Sequence, residues 1–293
     1  MRFKAKLALE QVSLLHSLLT PLSKLVGDSQ LRNNAAVLIL DSHYVRISVK
    51  GSHADSDGIT AFAELRAKDG IFVEHRIESI AENNLILMEL DLTQLKNALQ
   101  SLMGNGNPQR LSTTPPNAVI KLARRQNMAC LCIEGSQANF QLHHTIPIRI
   151  LRPTEVSHYL PPNMEAPSHI AIASDRHKSL KPLLDRLKVM ATTAQLEASS
   201  QGDLTIYVDT QHGASIQTYL APSQNRGGGT NEVYKVKVDT KKLAISLPSS
   251  LQWTTNLFLT LIPDQALIWH ADLVQQIGAV TYYVPVHLYS SSS

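Results

Sequence analysis

This 293-residue chain has almost no cysteine: only Cys130 and Cys132. Two apart in an apolar run, they fall on one face of a strand, where neighbours along a single strand make a poor disulfide. A disulfide-stapled secreted fold is therefore excluded, and buried free thiols are expected. Long hydrophobic runs are missing too. No apolar stretch reaches the roughly eighteen residues of a membrane span. The opening Met1-Arg2-Phe3-Lys4-Ala5-Lys6 alternates basic with apolar residues and lacks the apolar core of a secretory signal. A soluble protein of a reducing intracellular compartment is expected. Nor is there a Gly-x-x-x-x-Gly-Lys-Ser/Thr phosphate loop, which argues against a P-loop nucleotidase. With 43% hydrophobic and 17% charged residues, what remains is globular and long enough for two domains that each bury a core.

What is present is a repeat. Residues 85–99 read as a strand, then Asp91, then a helix with Leu95 and Leu99 at fixed offsets. Residues 233–247 repeat the plan, with Asp239, Leu243 and Leu247 in the same places. Each copy later reaches a strand with a proline between two branched residues, Ile146-Pro147-Ile148 and Val284-Pro285-Val286. A duplicated half without an obvious catalytic constellation points toward a scaffold or ring.

The period-two alternation of 1–9 predicts a strand, and 12–25 shifts to helical spacing through Leu14, Leu15, Leu18, Leu22 and Leu25. Pro21 removes a backbone donor inside that helix, so a kink, or an end and a restart, is expected there. Short strands are expected at 35–40, 44–50, 59–66, 71–77 and 85–90, joined by turns such as Asp69-Gly70. Asp91 then caps a helix through Leu92, Leu95, Leu99 and Leu102, and strands at 118–124, 128–134 and 139–150 complete a first domain, 1–151. The proline-bearing stretch 152–168 reads as an exposed interdomain connector. A second domain, 169–293, opens with a strand at 169–173 and a helix within 175–190. Pro182 suits the first turn of a helix, so the regular helix is expected to begin near Ser179. Strands follow at 204–208, 215–220 and 233–238, then the helix after Asp239, then strands at 256–262, 266–270 and 279–286. A flexible loop is expected at Gly227-Gly228-Gly229, and a disordered tail at 290–293.

Charge is distributed unevenly. Leu180, Leu183, Leu184 and Leu187 form one apolar stripe, with Lys178 opposite and Lys181, Arg186 and Lys188 on the flanks. Lys241 and Lys242 follow Asp239, Lys96 follows Asp91, and Lys24 lies on the first helix. Over 12–25, 92–103, 176–190 and 240–247 there are nine Lys or Arg against one acid, Asp185, a net +8 on four short helices. The whole chain carries +3, so the remainder carries −5. Helix surfaces are often rich in lysine for solubility alone. Helices in matching places of two repeats favour a shared functional face, suited to a polyanion such as duplex DNA. No recognition helix, zinc spacing or aromatic platform is visible, so contact with phosphate, without sequence specificity, is expected.

The enzyme alternative is weaker. His143 and His144 are strand neighbours that point to opposite faces, so they do not converge on one metal ion. These and His212 are read as ordinary strand histidines. Gly104-Asn105-Gly106-Asn107 and Gly227-Gly228-Gly229 do not link a strand to a following helix start as a phosphate cradle would, and read as loops.

The duplicated plan resembles the sliding-clamp fold of proliferating cell nuclear antigen, in which two similar domains per subunit build a ring with helices lining the hole. Three stretches, 1–6, Ala81-Glu82-Asn83-Asn84 leading through 85–90 into Asp91, and His144-Thr145-Ile146-Pro147-Ile148, resemble the Hus-type subunit of the nine-one-one checkpoint clamp. The resemblance implies an α+β chain of two sliding-clamp domains, each with two helices packed on antiparallel sheet. It implies a non-catalytic subunit of a heterotrimeric DNA-damage checkpoint clamp in the nucleus, without cofactor or metal, partnered by Rad-nine and Rad-one types. Such a ring encircles duplex DNA, is loaded by a separate ATP-dependent clamp loader, and supports checkpoint signalling and repair. Carried over by position, Lys24, Lys96, Lys178, Lys181, Arg186, Lys188, Lys241 and Lys242 would face DNA. Pro21 and Pro182 depart from an ideal lining helix, which bears on the facing of Lys24 and Lys181. A homotrimeric replication-type sliding clamp would share the fold and differ in closing a ring with itself.

Overall fold

The structure, a computed structural model, describes residues 1–26, 36–51, 57–103, 117–137, 140–164, 170–172, 174–199, 202–210, 213–220, 232–247 and 253–288. The chain divides into two compact units. One comprises Met1–Ser52, Phe62–Pro161 and Gln275–Gly278, the other His53–Ala61, Pro162–Val274 and Ala279–Ser293.

In the first unit, β1 (Arg2–Ala8) leads into α1 (Leu9–Val26), then β2 (Ala36–Leu40), β3 (Tyr44–Lys50), β4 (Thr60–Arg66), β5 (Glu74–Glu78) and β6 (Ile86–Leu90). After α2 (Leu92–Met103) come β7 (Asn117–Arg125), β8 (Met128–Gln137) and β9 (Phe140–Ile150). The strands lie in the order β4-β3-β2-β6-β9-β8-β7-β1-β5. Alternation in β1 buries Phe3, Ala5 and Leu7 and turns Arg2, Lys4 and Lys6 outward. The two helices pack on the buried side. β2 is buried throughout because its opposite face is covered as well: Val37 and Ile39 cluster with Leu87 and Leu151, and Val156 and Tyr159 pack against them. Val156 and Tyr159 belong to a 3₁₀ segment, Pro153–Tyr159. That part of the stretch read as an exposed connector is therefore docked on the first unit. β6 and β9 meet at three pairs, Met88↔Ile150, Glu89↔Arg149 and Leu90↔Ile148, and the Leu151 N–H, just past β9, donates to the Leu87 carbonyl at 3.0 Å.

The second unit runs β10 (Ile170–Ile172), α3 (Ser174–Met190), β11 (Thr193–Ser199), β12 (Leu204–Asp209), β13 (Ser215–Leu220), β14 (Val233–Asp239), α4 (Thr240–Ser246), β15 (Thr254–Ile262), β16 (Ala266–Leu273) and β17 (Gly278–Pro285). Its strands form the antiparallel runs β13-β12-β11-β14 and β10-β15-β16-β17. These answer to β4-β3-β2-β6 and β1-β7-β8-β9 of the first unit. The meeting of β6 with β9 recurs as the bridge Lys237↔His287, in which the His287 N–H donates to the Lys237 carbonyl at 2.7 Å. β5, laid outside β1, has no counterpart among the described residues of the second unit.

Four departures from the sequence expectations have physical reasons. α1 runs unbroken through Pro21, which is itself buried. Leu18, Leu19, Leu22 and Leu25 are all at most 1% exposed, and their burial, at about 1.5–3 kcal/mol each, exceeds the roughly 3 kcal/mol that an interior proline costs. α3 begins at Ser174, not near Ser179, so Pro182 is interior there too, in a helix anchored by buried Leu180, Leu184 and Leu187. β11 lies where no strand was expected: Ala194, Leu196 and Ala198 alternate inward, but two of the three are alanine, whose small side chain and helix preference mask a strand. β5 starts at Glu74, because Ile71 and Phe72 are buried in the turn after Asp69 and Gly70, where the Ile71 N–H donates to the Arg66 carbonyl at 2.8 Å. Cys130 and Cys132 are buried free thiols on β8. The loops at 104–107 and 227–229, His212, residues 165–169 and the tail 290–293 lie outside the described residues.

Candidate nucleic-acid interface

The repeated aspartates are helix caps. The Asp91 carboxylate accepts from the backbone N–H of Thr93 at 2.7 Å and of Gln94 at 3.2 Å. Asp239 accepts from those of Lys241 at 2.8 Å and Lys242 at 3.0 Å. Each aspartate thus satisfies two of the donors that a helix start leaves free. The following pairs, Leu95 with Leu99 and Leu243 with Leu247, are buried. The recurring spacing is therefore a cap followed by an anchor, and it fixes which side of each helix faces solvent.

In the first unit that side carries little charge. On α1, Ser13, His16, Ser17 and Thr20 are half-buried and Lys24 is exposed; on α2, Gln94, Asn97 and Gln100 are exposed and Lys96 is half-buried. Burial, and secondly the positive charge of Lys96, holds the His16 imidazole below its ordinary value, so it is neutral at neutral pH. The His143-His144 pair diverges as strand geometry requires. His144 Nε2 lies 2.7 Å from Ser101 Oγ on α2, whereas His143 Nδ1 lies 3.1 Å from Glu134 on the opposite face.

The second unit presents the basic residues. Lys178, Arg186 and Lys241 are exposed, and Lys181, Lys188 and Lys242 are half-buried. Lys181 Nζ donates to the Ala244 carbonyl, tying α3 to the last turn of α4, where a cation is favoured by the helix dipole. Asp185 Oδ1 sits 3.5 Å from Lys181 Nζ and 2.7 Å from Lys188 Nζ. Hydrogen bonding from Lys188, reinforced by the charge of Lys181, holds the Asp185 carboxyl below its ordinary value. Two of the expected DNA-facing lysines thus share an acid. Lys24, Lys178 and Arg186 have no ion-pair partner among the described residues. Sequence reasoning missed Thr240, whose buried hydroxyl donates to the Ala191 carbonyl at 2.5 Å and joins the end of α3 to the start of α4. Its position directly after a capping aspartate was the available signal.

The observed helix limits also change the charge count. They bring in Glu10 and Asp175, so nine Lys or Arg stand against three acids, a net +6 where the sequence reading gave +8. Of this, α1 and α2 carry +1, and α3 and α4 carry +5.

Two modules of one design, each a pair of helices on antiparallel sheet, are the architecture of the sliding-clamp class. Residues 1–287 match the family model described as Hus1-like protein. The chain belongs to the Hus1-like family. It is 25% identical over 236 residues to a protein of Dictyostelium discoideum named checkpoint protein hus1 homolog, covering 79% of this chain and 82% of that one. To the human protein named checkpoint protein HUS1 it is 21% identical over 243 residues, covering 78% and 81%.

Proposed function

We propose that this chain is a non-catalytic subunit of a heterotrimeric, ring-shaped DNA-damage checkpoint clamp that encircles duplex DNA in the nucleus and supports checkpoint signalling and repair. The family match over 1–287 carries the reading, and the checkpoint proteins named among its relatives support the heterotrimeric ring over a homotrimeric replication clamp. The two other subunits are of the Rad-nine and Rad-one types, and a separate ATP-dependent loader opens the ring. Residues 1–151 and 169–293 are the two clamp domains, with 152–168 connecting them.

Edge strands supply the surfaces for the neighbours. Among the described residues, β13 pairs with β12 alone, and β9 is paired on its second side only at 148–150. A strand from an adjacent subunit added at either edge completes the backbone hydrogen bonding and removes an aggregation hazard. Lys24, Lys96, Lys178, Arg186, Lys241 and Lys242 face the duplex, with Lys181 and Lys188 beside them. Enclosure retains the DNA, so contacts to phosphate need only be weak, and weak contacts permit sliding. Native mass measurement tests the assembly. A chain that forms a ring only with two other clamp subunits is the expected result, and a stable homotrimer of this chain alone would overturn it.

A further inference from the structure

We infer that the two helix pairs share the duplex unequally: α3 and α4 hold the phosphates, while α1 and α2 form a low-charge face along which the duplex moves. This rests on the clamp reading above and adds to it a division of roles within one subunit. The helix charges carry it, +5 on α3 and α4 against +1 on α1 and α2. Lys178 lies opposite the buried Leu180, Leu184 and Leu187, at the centre of the solvent side of α3. Arg186 is exposed eight residues further on, about 12 Å along the axis. Lys241 is exposed in the first turn of α4, where its own backbone N–H is held by Asp239. The bond from Lys181 to the Ala244 carbonyl and that from Thr240 to the Ala191 carbonyl lock the two helices together, so the cations are positioned before DNA arrives.

The solvent side of α1 and α2 is of another chemistry. Ser13, Thr20, Gln94, Asn97 and Gln100 are neutral groups, and His16 is held neutral. Neutral hydrogen bonds exchange with water at small net energy and release no counterions. Cationic contacts to phosphate release them and so give a salt-dependent affinity, with a slope of about 0.9 per contact.

The test is the affinity of the ring, assembled with its two partner subunits, for linear duplex DNA between 50 and 200 mM salt, read by fluorescence anisotropy. Each phosphate contact contributes about 3.5-fold over that range. Replacing Lys178, Arg186 and Lys241 together by Ala is expected to shrink the salt-induced loss of affinity by about 40-fold. The Lys24→Ala, Lys96→Ala double variant is expected to shrink it by less than about 3.5-fold, under one contact. Equal effects per charge removed, or a larger effect from Lys24 and Lys96, would overturn the division of roles. A wild-type ring with salt-independent affinity would overturn the DNA-binding reading itself. Native mass verifies that each variant assembles; should the triple variant fail to, Lys178→Glu against Lys24→Glu makes the same comparison at two exposed positions.

Discussion

Replacing Asp239 by alanine strips two backbone N–H groups of their acceptor at the start of a helix only seven residues long. Loss of an N-cap costs about 0.5–2 kcal/mol, commonly about 1, and a helix this short has little stability of its own to absorb it. The site has a second term. Lys241 and Lys242 stand in the first turn, the end of a helix where a cation is disfavoured, and the Asp239 carboxylate offsets them by about 0.3–1 kcal/mol. Asp239→Ala should therefore destabilise α4 by about 1–2 kcal/mol, raising its local opening about 5–30-fold. Asp91→Ala, at the head of a twelve-residue helix without cations in its first turn, should cost about 1 kcal/mol. Asn at either position keeps the acceptor oxygen and loses the charge, so Asp239→Asn should recover most of the alanine loss. Amide hydrogen exchange across 242–247, with urea denaturation alongside, measures these terms separately. The reasoning fails if Asp239→Asn is as damaging as Asp239→Ala, or if Asp91→Ala proves the costlier of the alanine variants.

Three further outcomes are expected. Thr240→Val keeps the shape of a fully buried side chain but leaves the Ala191 carbonyl without its hydroxyl donor. A loss of about 1–3 kcal/mol follows, visible as a lowered urea midpoint, and a neutral result would remove the hydroxyl from the set of bonds joining α3 to α4. Gly70→Ala would place a methyl carbon 2.3 Å from the Arg66 carbonyl oxygen; a backbone clash of this kind should cost about 1–3 kcal/mol, against which an unchanged thermal midpoint would count. His16 titrates below the ordinary imidazole value of 6.5 in the folded chain, so as pH falls through that value the unfolded state takes up a proton first. Stability drops from there down to the folded-state value. His16→Gln should show less loss of urea midpoint between pH 8 and pH 5.5 than wild type, and parallel curves would refute the shift.

The features legible in the sequence were those a single local pattern encodes. Asp91 and Asp239 announced their helices because a cap is a short-range device, and Leu95, Leu99, Leu243 and Leu247 supplied the periodicity. Pro21 and Pro182 misled because their cost is local, whereas the leucine burial that overrides it is tertiary. β11 was hidden by Ala194 and Ala198, which become strand residues only through the registers Ala194↔Val238 and Ala198↔Leu204. The cationic set was legible as residue types at helical spacing. That Lys181 reaches a carbonyl, and that Asp185 serves two lysines, depends on how α3 meets α4, which no one-dimensional pattern records.

The narrow meetings of β6 with β9 and of Lys237 with His287 have a mechanical consequence. A ladder of three paired residues in one unit, and a single bridge in the other, lie beside ladders such as that of β8 with β9, which pairs eight. Resistance to shear grows with the number of backbone bonds loaded together, so these are the places where each module should yield first. Under tension a module should part there into two intact sheets before any strand is stripped from its neighbours, an order of events that pulling single molecules of the chain would resolve.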